Sequence, residues 1–170
     1  MRNHAKLASA TLAAILLPIA ACGSSPRPSP GTASTCADPS APHRVEVVVE
    51  HGSGRVLQRC VGFGGPSVTA LEVMKESHLR FEKETTSFGV ALCAIDGEPS
   101  RFSTCFPSGA PYWAMFVRTA GSGGAGGKGW KSPSVGVQGV TLRAGDALGW
   151  RYDPSAQNPA APPPAPKPGP

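Results

Sequence analysis

The sequence predicts a small α+β domain, in which a sheet packs against one helix. Near the end of the chain Leu148, Trp150 and Tyr152 alternate with smaller or polar residues, which gives the period of two that a strand requires. An earlier run, residues 44–50, alternates in the same way. Between these strands, residues 69–77 have the apolar stripe of a short amphipathic helix, and this helix is expected to cover the sheet.

Each element has a local signal. The glycine-containing residues 51–54 turn the first strand into an antiparallel partner at residues 55–61. Thr69 and Glu72 have the spacing of a capping box, which marks the start of the helix. A charged connector, residues 79–86, follows the helix. Apolar runs then predict the remaining strands, at residues 88–95, 112–117 and 148–152.

The strand predicted at residues 112–117 is apolar on both of its faces, which is typical of a central strand. Only one face can lie under the helix, so the other face is expected to be covered by loops, a partner or a ligand. The next segment, residues 119–129, is rich in glycine and predicts either a hairpin linker or a mobile flap. Trp130 follows directly, where a flap would carry it.

The N-terminus has the layout of a bacterial export signal. Residues 1–21 carry basic residues, an apolar run at 7–19 and then small residues. Residues 19–22 resemble a lipobox, which predicts that Cys22 is acylated after cleavage. A transmembrane helix is disfavoured because the apolar run is shorter than the roughly 20 residues that span a bilayer. We therefore expect a lipid-anchored protein at the cell membrane, facing the extracytoplasmic side.

Composition divides the rest of the chain into three parts. Residues 22–43 are rich in Ser, Pro, Gly and Ala and predict a flexible tether, residues 44–152 predict the folded domain, and the Pro- and Ala-rich residues 153–170 predict a disordered tail. The formal net charge of +5 includes the basic residues of the signal peptide. No run of Lys and Arg would follow a phosphate backbone, so nucleic acid is not expected as a partner.

Four cysteines remain if Cys22 carries lipid. An even number in an oxidising compartment indicates two disulfides, with three connectivities open. We favour Cys36–Cys60, because the first hairpin returns Cys60 to the place where Cys36 enters the domain. We favour Cys93–Cys105, because these residues flank one turn-rich loop. A zinc site is disfavoured, since no CxxC pair or suitably spaced histidine accompanies the cysteines.

The sequence contains no catalytic motif. We find no nucleophile with an adjacent base, no paired carboxylates in a polar setting and no phosphate-binding loop. We therefore predict a protein that is not an enzyme and has no resident cofactor or metal. His43, His51 and His78 lie at the ends of predicted elements and are expected at the surface.

An ordered series of short motifs resembles the transcobalamin-type C-terminal domain. The motifs are Thr69 to Glu72, Phe88-Gly89, Ile95 to Gly97, Tyr112-Trp113, Ser134 to Gly136, Leu142, Gly145-Asp146 and Leu148 to Tyr152. The resemblance covers about residues 45–152. It implies a β-grasp-like fold, in which a mixed sheet packs against one helix. In transcobalamin this domain closes over one face of a cobalamin that is bound on a separate helical barrel, and here the remaining chain is predicted to be tether and tail.

The resemblance implies a lipid-anchored module that binds a small ligand and assists the uptake of a corrinoid such as cobalamin, with a transporter as partner. Trp130, Trp113 and Tyr112 are the candidate ligand-binding residues, because flat aromatic faces stack on flat ligands. The alternative is a non-catalytic module that binds another envelope protein or acts as a scaffold. The absence of a predicted helical barrel and the Pro-rich tail favour this alternative.

Overall fold

The structure is a computed structural model that describes residues 36–122, 129–156 and 160–167. The predicted signal peptide, the lipidation at Cys22 and the first part of the tether lie outside these residues. Within the described ranges, no helix is long and apolar enough to cross a membrane. The elements in these ranges are β1 (His43–Glu50), β2 (Val56–Phe63), β3 (Val68–Thr69), α1 (Ala70–Glu76), β4 (Phe81–Thr86), β5 (Gly89–Ile95), β6 (Tyr112–Arg118), β7 (Trp130–Lys131), a 3-10 turn (Val137–Gly139), β8 (Thr141–Leu142) and β9 (Ala147–Asp153).

The main sheet has five strands in the order β2-β1-β9-β6-β7. Its central pair, β1 and β9, is parallel, with Val49 opposite Trp150, and the other neighbours are antiparallel. Two further pairs, β3 with β8 and β4 with β5, complete the strands of the described residues. The predicted α+β class, mostly sheet with one helix, is confirmed.

One face of the main sheet, called here the inner face, packs against α1, and the opposite face is called the outer face. The alternation in β1 and β9 sets this division, because every second side chain points inward. Burial of each such aliphatic side chain contributes about 1.5–3 kcal/mol. The inner-face side chains and their partners on α1 are all at most 2 % exposed: Val45, Val47, Val49, Trp113, Leu148 and Trp150, with Val73 and Met74.

The start of α1 has the predicted capping box. Thr69 is the N-cap, and its Oγ1 accepts the backbone N–H of Glu72, while the Glu72 carboxylate accepts the N–H of Thr69 at 3.0 Å and its hydroxyl at 2.8 Å. These hydrogen bonds, first from the side chain and then from the backbone of Thr69, lower the pKa of Glu72 below its ordinary value of 4.5. The ionised carboxylate therefore completes the cap at neutral pH.

A lowered acidic pKa contributes stability that is present above the ordinary value and is lost as pH falls through the folded-state value. We therefore expect Glu72→Gln to lower the free energy of unfolding at neutral pH, and the difference from wild type to shrink at a pH well below 4.5. Urea melts at the two pH values measure this difference. In a Thr69→Ala background the carboxylate keeps only the backbone N–H of residue 69 as its donor, so the pH-dependent effect of Glu72→Gln should be smaller than in the parent chain. Equal differences at both pH values in the parent chain would contradict the assignment.

Both predicted disulfides, Cys36–Cys60 and Cys93–Cys105, are present. The first attaches the segment before β1 to β2, and the Ala37 N–H donates to the Cys60 carbonyl at 2.9 Å. The Gly62 N–H donates in turn to the Ala37 carbonyl at 2.8 Å. Residues 36–42, predicted as part of the flexible tether, therefore pack against β2.

Residues 160–167 differ from the predicted disordered tail, because they lie in contact with the outer face of the sheet. Ala160 and Pro163 are buried there. A proline-rich chain has little conformational freedom to lose, so a small number of contacts is enough to hold it. This segment covers part of the outer face of β6 and β9.

Candidate functional site

A cleft of about 500 Å³ lies between β5 and the edge of β6. β6 pairs with β9 along its whole length, but with β7 only at Val117 and Arg118. The edge of β6 at residues 112–116 therefore lines the cleft. The other walls are residues 90–92 of β5 and residues 132–137, with further contributions from Thr86, Phe88, Phe106, Trp150 and Ala160.

The cleft is lined by neutral side chains. None of the lining residues carries an Asp, Glu, Lys or Arg side chain. The polar side-chain groups are the hydroxyls of Thr86, Tyr112, Ser132 and Ser134 and the indole N–H groups of Trp113 and Trp150. Burial first, and the nearby Asp153 carboxylate second, raise the pKa of Tyr112 above its ordinary value of 10.0, so its phenol stays neutral. A cleft with these walls suits an uncharged ligand with apolar or aromatic surface.

Exposed apolar side chains surround this cleft. Phe88 is 75 % exposed, Phe106 49 % and Val135 48 %, and all three belong to its lining. Phe106 also meets the ring of Tyr112 edge to face, with centroids 6.0 Å apart. Contiguous exposed apolar surface at a recess is typical of a binding site.

Close backbone contacts hold the cleft walls together. The Gly136 N–H donates to the Phe88 carbonyl at 2.8 Å, and the Val90 N–H donates to Gln138 Oε1 at 2.7 Å. A Cβ at Gly136 would lie 2.7 Å from the backbone N and O of Val90, so only glycine allows this approach. On the other side, the buried Cys93–Cys105 disulfide sits directly before Phe106.

The structure divides the three predicted ligand-binding residues between two places. Trp113 and Tyr112 both line the cleft, but Trp113 is only 2 % exposed and belongs to the core. Trp130 does not belong to the cleft lining. It lies on the outer face, where its ring packs against Gly149 and where the N–H of its indole is buried without a partner. Trp130 is thus half-buried and not the exposed residue that the flap hypothesis predicts.

Phe88, Phe106 and Val135 were not among the predicted site residues. Their residue types gave no signal, because an apolar residue at the end of a strand or in a loop is equally typical of a core. Phe88 begins an apolar run, and only the packing of β5 shows that its side chain points away from the core.

A polar network centred on His51 lies next to Trp113. His51 is buried, contrary to its predicted surface position; its Nδ1 lies 2.6 Å from Glu98 Oε2, and its Nε2 lies 2.9 Å from Arg55 Nη2. Because a guanidinium only donates, Nε2 must accept and Nδ1–H must donate to Glu98. Arg55 also pairs with Asp96 at 3.2 Å. These groups lie outside the cleft. They hold the loop that contains Glu98, whose backbone carbonyl accepts the indole N–H of Trp113 at 2.6 Å.

One grouping of three metal-ligand side chains occurs in the described part of the chain. It consists of Glu84, Cys93 and Cys105, whose ligand atoms lie within 4.8 Å of one another. Both sulfur atoms belong to the disulfide, so they are not thiolates. The Glu84 carboxylate accepts the Cys105 N–H at 3.2 Å, which is a structural role.

No protein-family model and no curated protein matches the sequence. Among solved structures, the chain is similar to a protein from Ruminococcus gnavus ATCC 29149 that is named for a suspected metal-binding role. The likeness has a TM-score of 0.46 and 17 % sequence identity, and it covers 66 % of this chain and 97 % of that one. It is too distant to indicate a function or a metal for this chain.

Proposed function

We propose that this domain is a lipid-anchored, extracytoplasmic module that binds a small uncharged ligand with apolar or aromatic surface in the cleft beside β6. The observation that carries the proposal is the set of exposed apolar side chains, Phe88, Phe106 and Val135, around a cleft with neutral walls. Its volume of about 500 Å³ lies within the range of small-molecule sites, roughly 300–1,000 Å³.

The resemblance to the transcobalamin-type domain makes a corrinoid such as cobalamin the first ligand to test, with a transporter as the partner. Support for a β-grasp-like fold comes from the strand order, in which the parallel pair β1 and β9 is central and antiparallel strands flank it. The exposed rings of Phe88 and Phe106 offer apolar surface on which such a ligand would stack.

The proposed module is not an enzyme. The cleft lining offers hydroxyls but no carboxylate, imidazole or ammonium that would act as a base or acid beside them. Binding in this cleft therefore rests on apolar contact. The anchor rests on the signal in residues 1–22 of the sequence.

A thermal-shift titration of the purified protein with cobalamin, cobinamide and haem tests the proposal. A ligand at 100 times its Kd should stabilise the fold by about 2.7 kcal/mol, which is easily measured in a small domain. We expect Phe88→Ser to weaken binding about tenfold or more, since burial of a phenylalanine contributes about 1.5–3 kcal/mol. The matched control is Phe102→Ser, since Phe102 is 39 % exposed and does not line this cleft. Absence of a shift with every compound, or equal losses in the two variants, would contradict the proposal.

The exposed patch also supports a second candidate, a protein-interaction module for the cell envelope. In that case a partner protein, and not a small molecule, would cover Phe88 and Val135. A photo-crosslinking residue placed at position 88 in cells should then capture one envelope protein reproducibly. The same residue at position 102 should not capture it.

A further inference from the structure

The outer face of the sheet carries a proline-rich segment of the chain itself. Residues 160–167 have the sequence AAPPPAPK. Ala160 packs with Ala114 and Phe116 on β6, Pro163 lies over Gly149 on β9, and Lys167 is hydrogen-bonded to Gln58 on β2. The segment therefore crosses the sheet from β6 to β2.

The crossing has the dimensions of an extended polyproline II chain. Neighbouring strands lie about 4.8 Å apart, so the path from β9 over β1 to β2 spans about 10 Å. Four residues of polyproline II rise about 12 Å, which matches the step from Pro163 to Lys167. The prolines hold this conformation before any contact is made.

The contacts that hold the segment are those of peptide recognition. Gln58 forms two hydrogen bonds with the backbone of Lys167: its Nε2 donates to the carbonyl at 2.8 Å, and its Oε1 accepts the N–H at 2.9 Å. Arg151 Nη1 donates to the Pro162 carbonyl at 3.3 Å. These bonds go to main-chain groups, so they select an extended backbone.

The lack of a side chain at Gly149 allows Pro163 to pack closely against β9. A Cβ at Gly149 would lie 2.8 Å from Pro163 Cγ and 2.9 Å from Cζ3 of the Trp130 ring. Pro163 and Trp130 therefore both pack directly against the backbone at Gly149. Grooves that bind proline-rich segments likewise combine an aromatic wall with side chains that reach backbone carbonyls.

We propose that this outer face, built by Gln58, Trp130, Gly149 and Arg151, is a docking groove for proline-rich segments, that residues 160–167 are its resident occupant, and that a proline-rich segment of another protein binds by displacing them. None of the contacts above needs the covalent link to β9. A segment of the same chemistry on another chain can make all of them. The four residues that build the groove do not line the cleft, so the proposal does not rest on ligand binding there, although Ala160 of the resident segment contributes to one cleft wall.

The test uses the full-length chain with Pro163→Asp, which places a charge on Gly149 and releases the tail. The probe is a fluorescent peptide with the sequence of residues 160–167, and its binding is measured by fluorescence polarisation. We expect it to bind the variant at least tenfold more tightly than wild type, because a linked tail competes at an effective concentration near the millimolar range. A second variant, Lys167→Pro, removes the N–H that Gln58 Oε1 accepts and releases the end of the tail without adding a charge.

The matched control separates the groove from general adhesion. In the Pro163→Asp chain, Gln58→Ala should weaken peptide binding about tenfold, since two hydrogen bonds are lost. Arg59→Ala should not, because alternation places Arg59 on the opposite face of β2. A peptide with alanine at every proline should bind at least tenfold more weakly. Absence of binding to both tail variants while they remain folded, or binding that Gln58→Ala leaves unchanged, would overturn the proposal.

Discussion

Replacing Trp113 by alanine is expected to lower the free energy of unfolding by about 3–5 kcal/mol, the range for a buried tryptophan. Trp113 is 2 % exposed, and its ring contacts His51 edge to face at 5.5 Å and Tyr152 at 5.2 Å. Its indole N–H also donates to the Glu98 carbonyl at 2.6 Å, and the alanine variant would leave that carbonyl with the Ile95 N–H alone. The free energy of unfolding of a small domain is about 5–15 kcal/mol in total, so this change removes a large part of its stability. Chemical denaturation measures the loss.

Trp130→Ala is the matched control for this change. Trp130 is half-buried on the outer face, and its indole N–H has no partner, so its removal leaves no acceptor unsatisfied. We expect a loss less than half that of Trp113→Ala. A third variant, Trp113→Phe, keeps most of the ring but not the hydrogen bond, and should fall between the two. Equal losses for Trp113→Ala and Trp130→Ala would contradict the division of the sheet into a core face and a tail-covered face.

Removal of the Cys93–Cys105 disulfide by a double change to alanine is expected to lower the free energy of unfolding by about 3 kcal/mol. The two cysteines are 12 residues apart in sequence, and closing a loop of about this length restricts the unfolded chain by that amount. The loop also ends beside Phe106, which lines the cleft. The double variant should therefore lose ligand affinity as well as stability. Urea melts and the titration described above measure both effects.

Reductant provides the control for the disulfide. In the double variant only Cys36–Cys60 remains, so a reducing agent should lower its stability further, by about the same amount. If the double variant is as stable as wild type, the loop is held by its other contacts. These include the Glu84 carboxylate on the Cys105 N–H and the hydrogen bond between Trp113 and Glu98.

The parts of the fold that were predicted correctly have signals within a few residues of one another. The alternation of Val45, Val47 and Val49 identifies β1, because a strand that has one buried face must repeat every second residue. The spacing of Thr69 and Glu72 identifies the start of α1, because a capping box depends only on local hydrogen bonds. The disulfide pairs follow from the first hairpin and from one loop, and both are short in sequence.

Strand β4 was missed for a physical reason. Its sequence, FEKETT, is mostly exposed and charged, which is typical of a connector. It is a strand because β5 offers a full edge for pairing, from Phe81 opposite Ile95 to Thr86 opposite Gly89. A strand that is held by its neighbour's backbone needs no apolar pattern of its own.

Sequence alone determined the α+β class, the strand faces of β1 and β9, the capped helix and the two disulfides, because each depends on local periodicity or on residues joined by one turn. Tertiary structure alone decided that Phe88 and Val135 are exposed beside a cleft, that Trp130 packs away from it, and that residues 160–167 cross the outer face. These outcomes depend on which distant segments meet. Neither the contact between Pro163 and Gly149 nor the hydrogen bond between Gln58 and Lys167 can be predicted from the residues that flank each partner in the sequence.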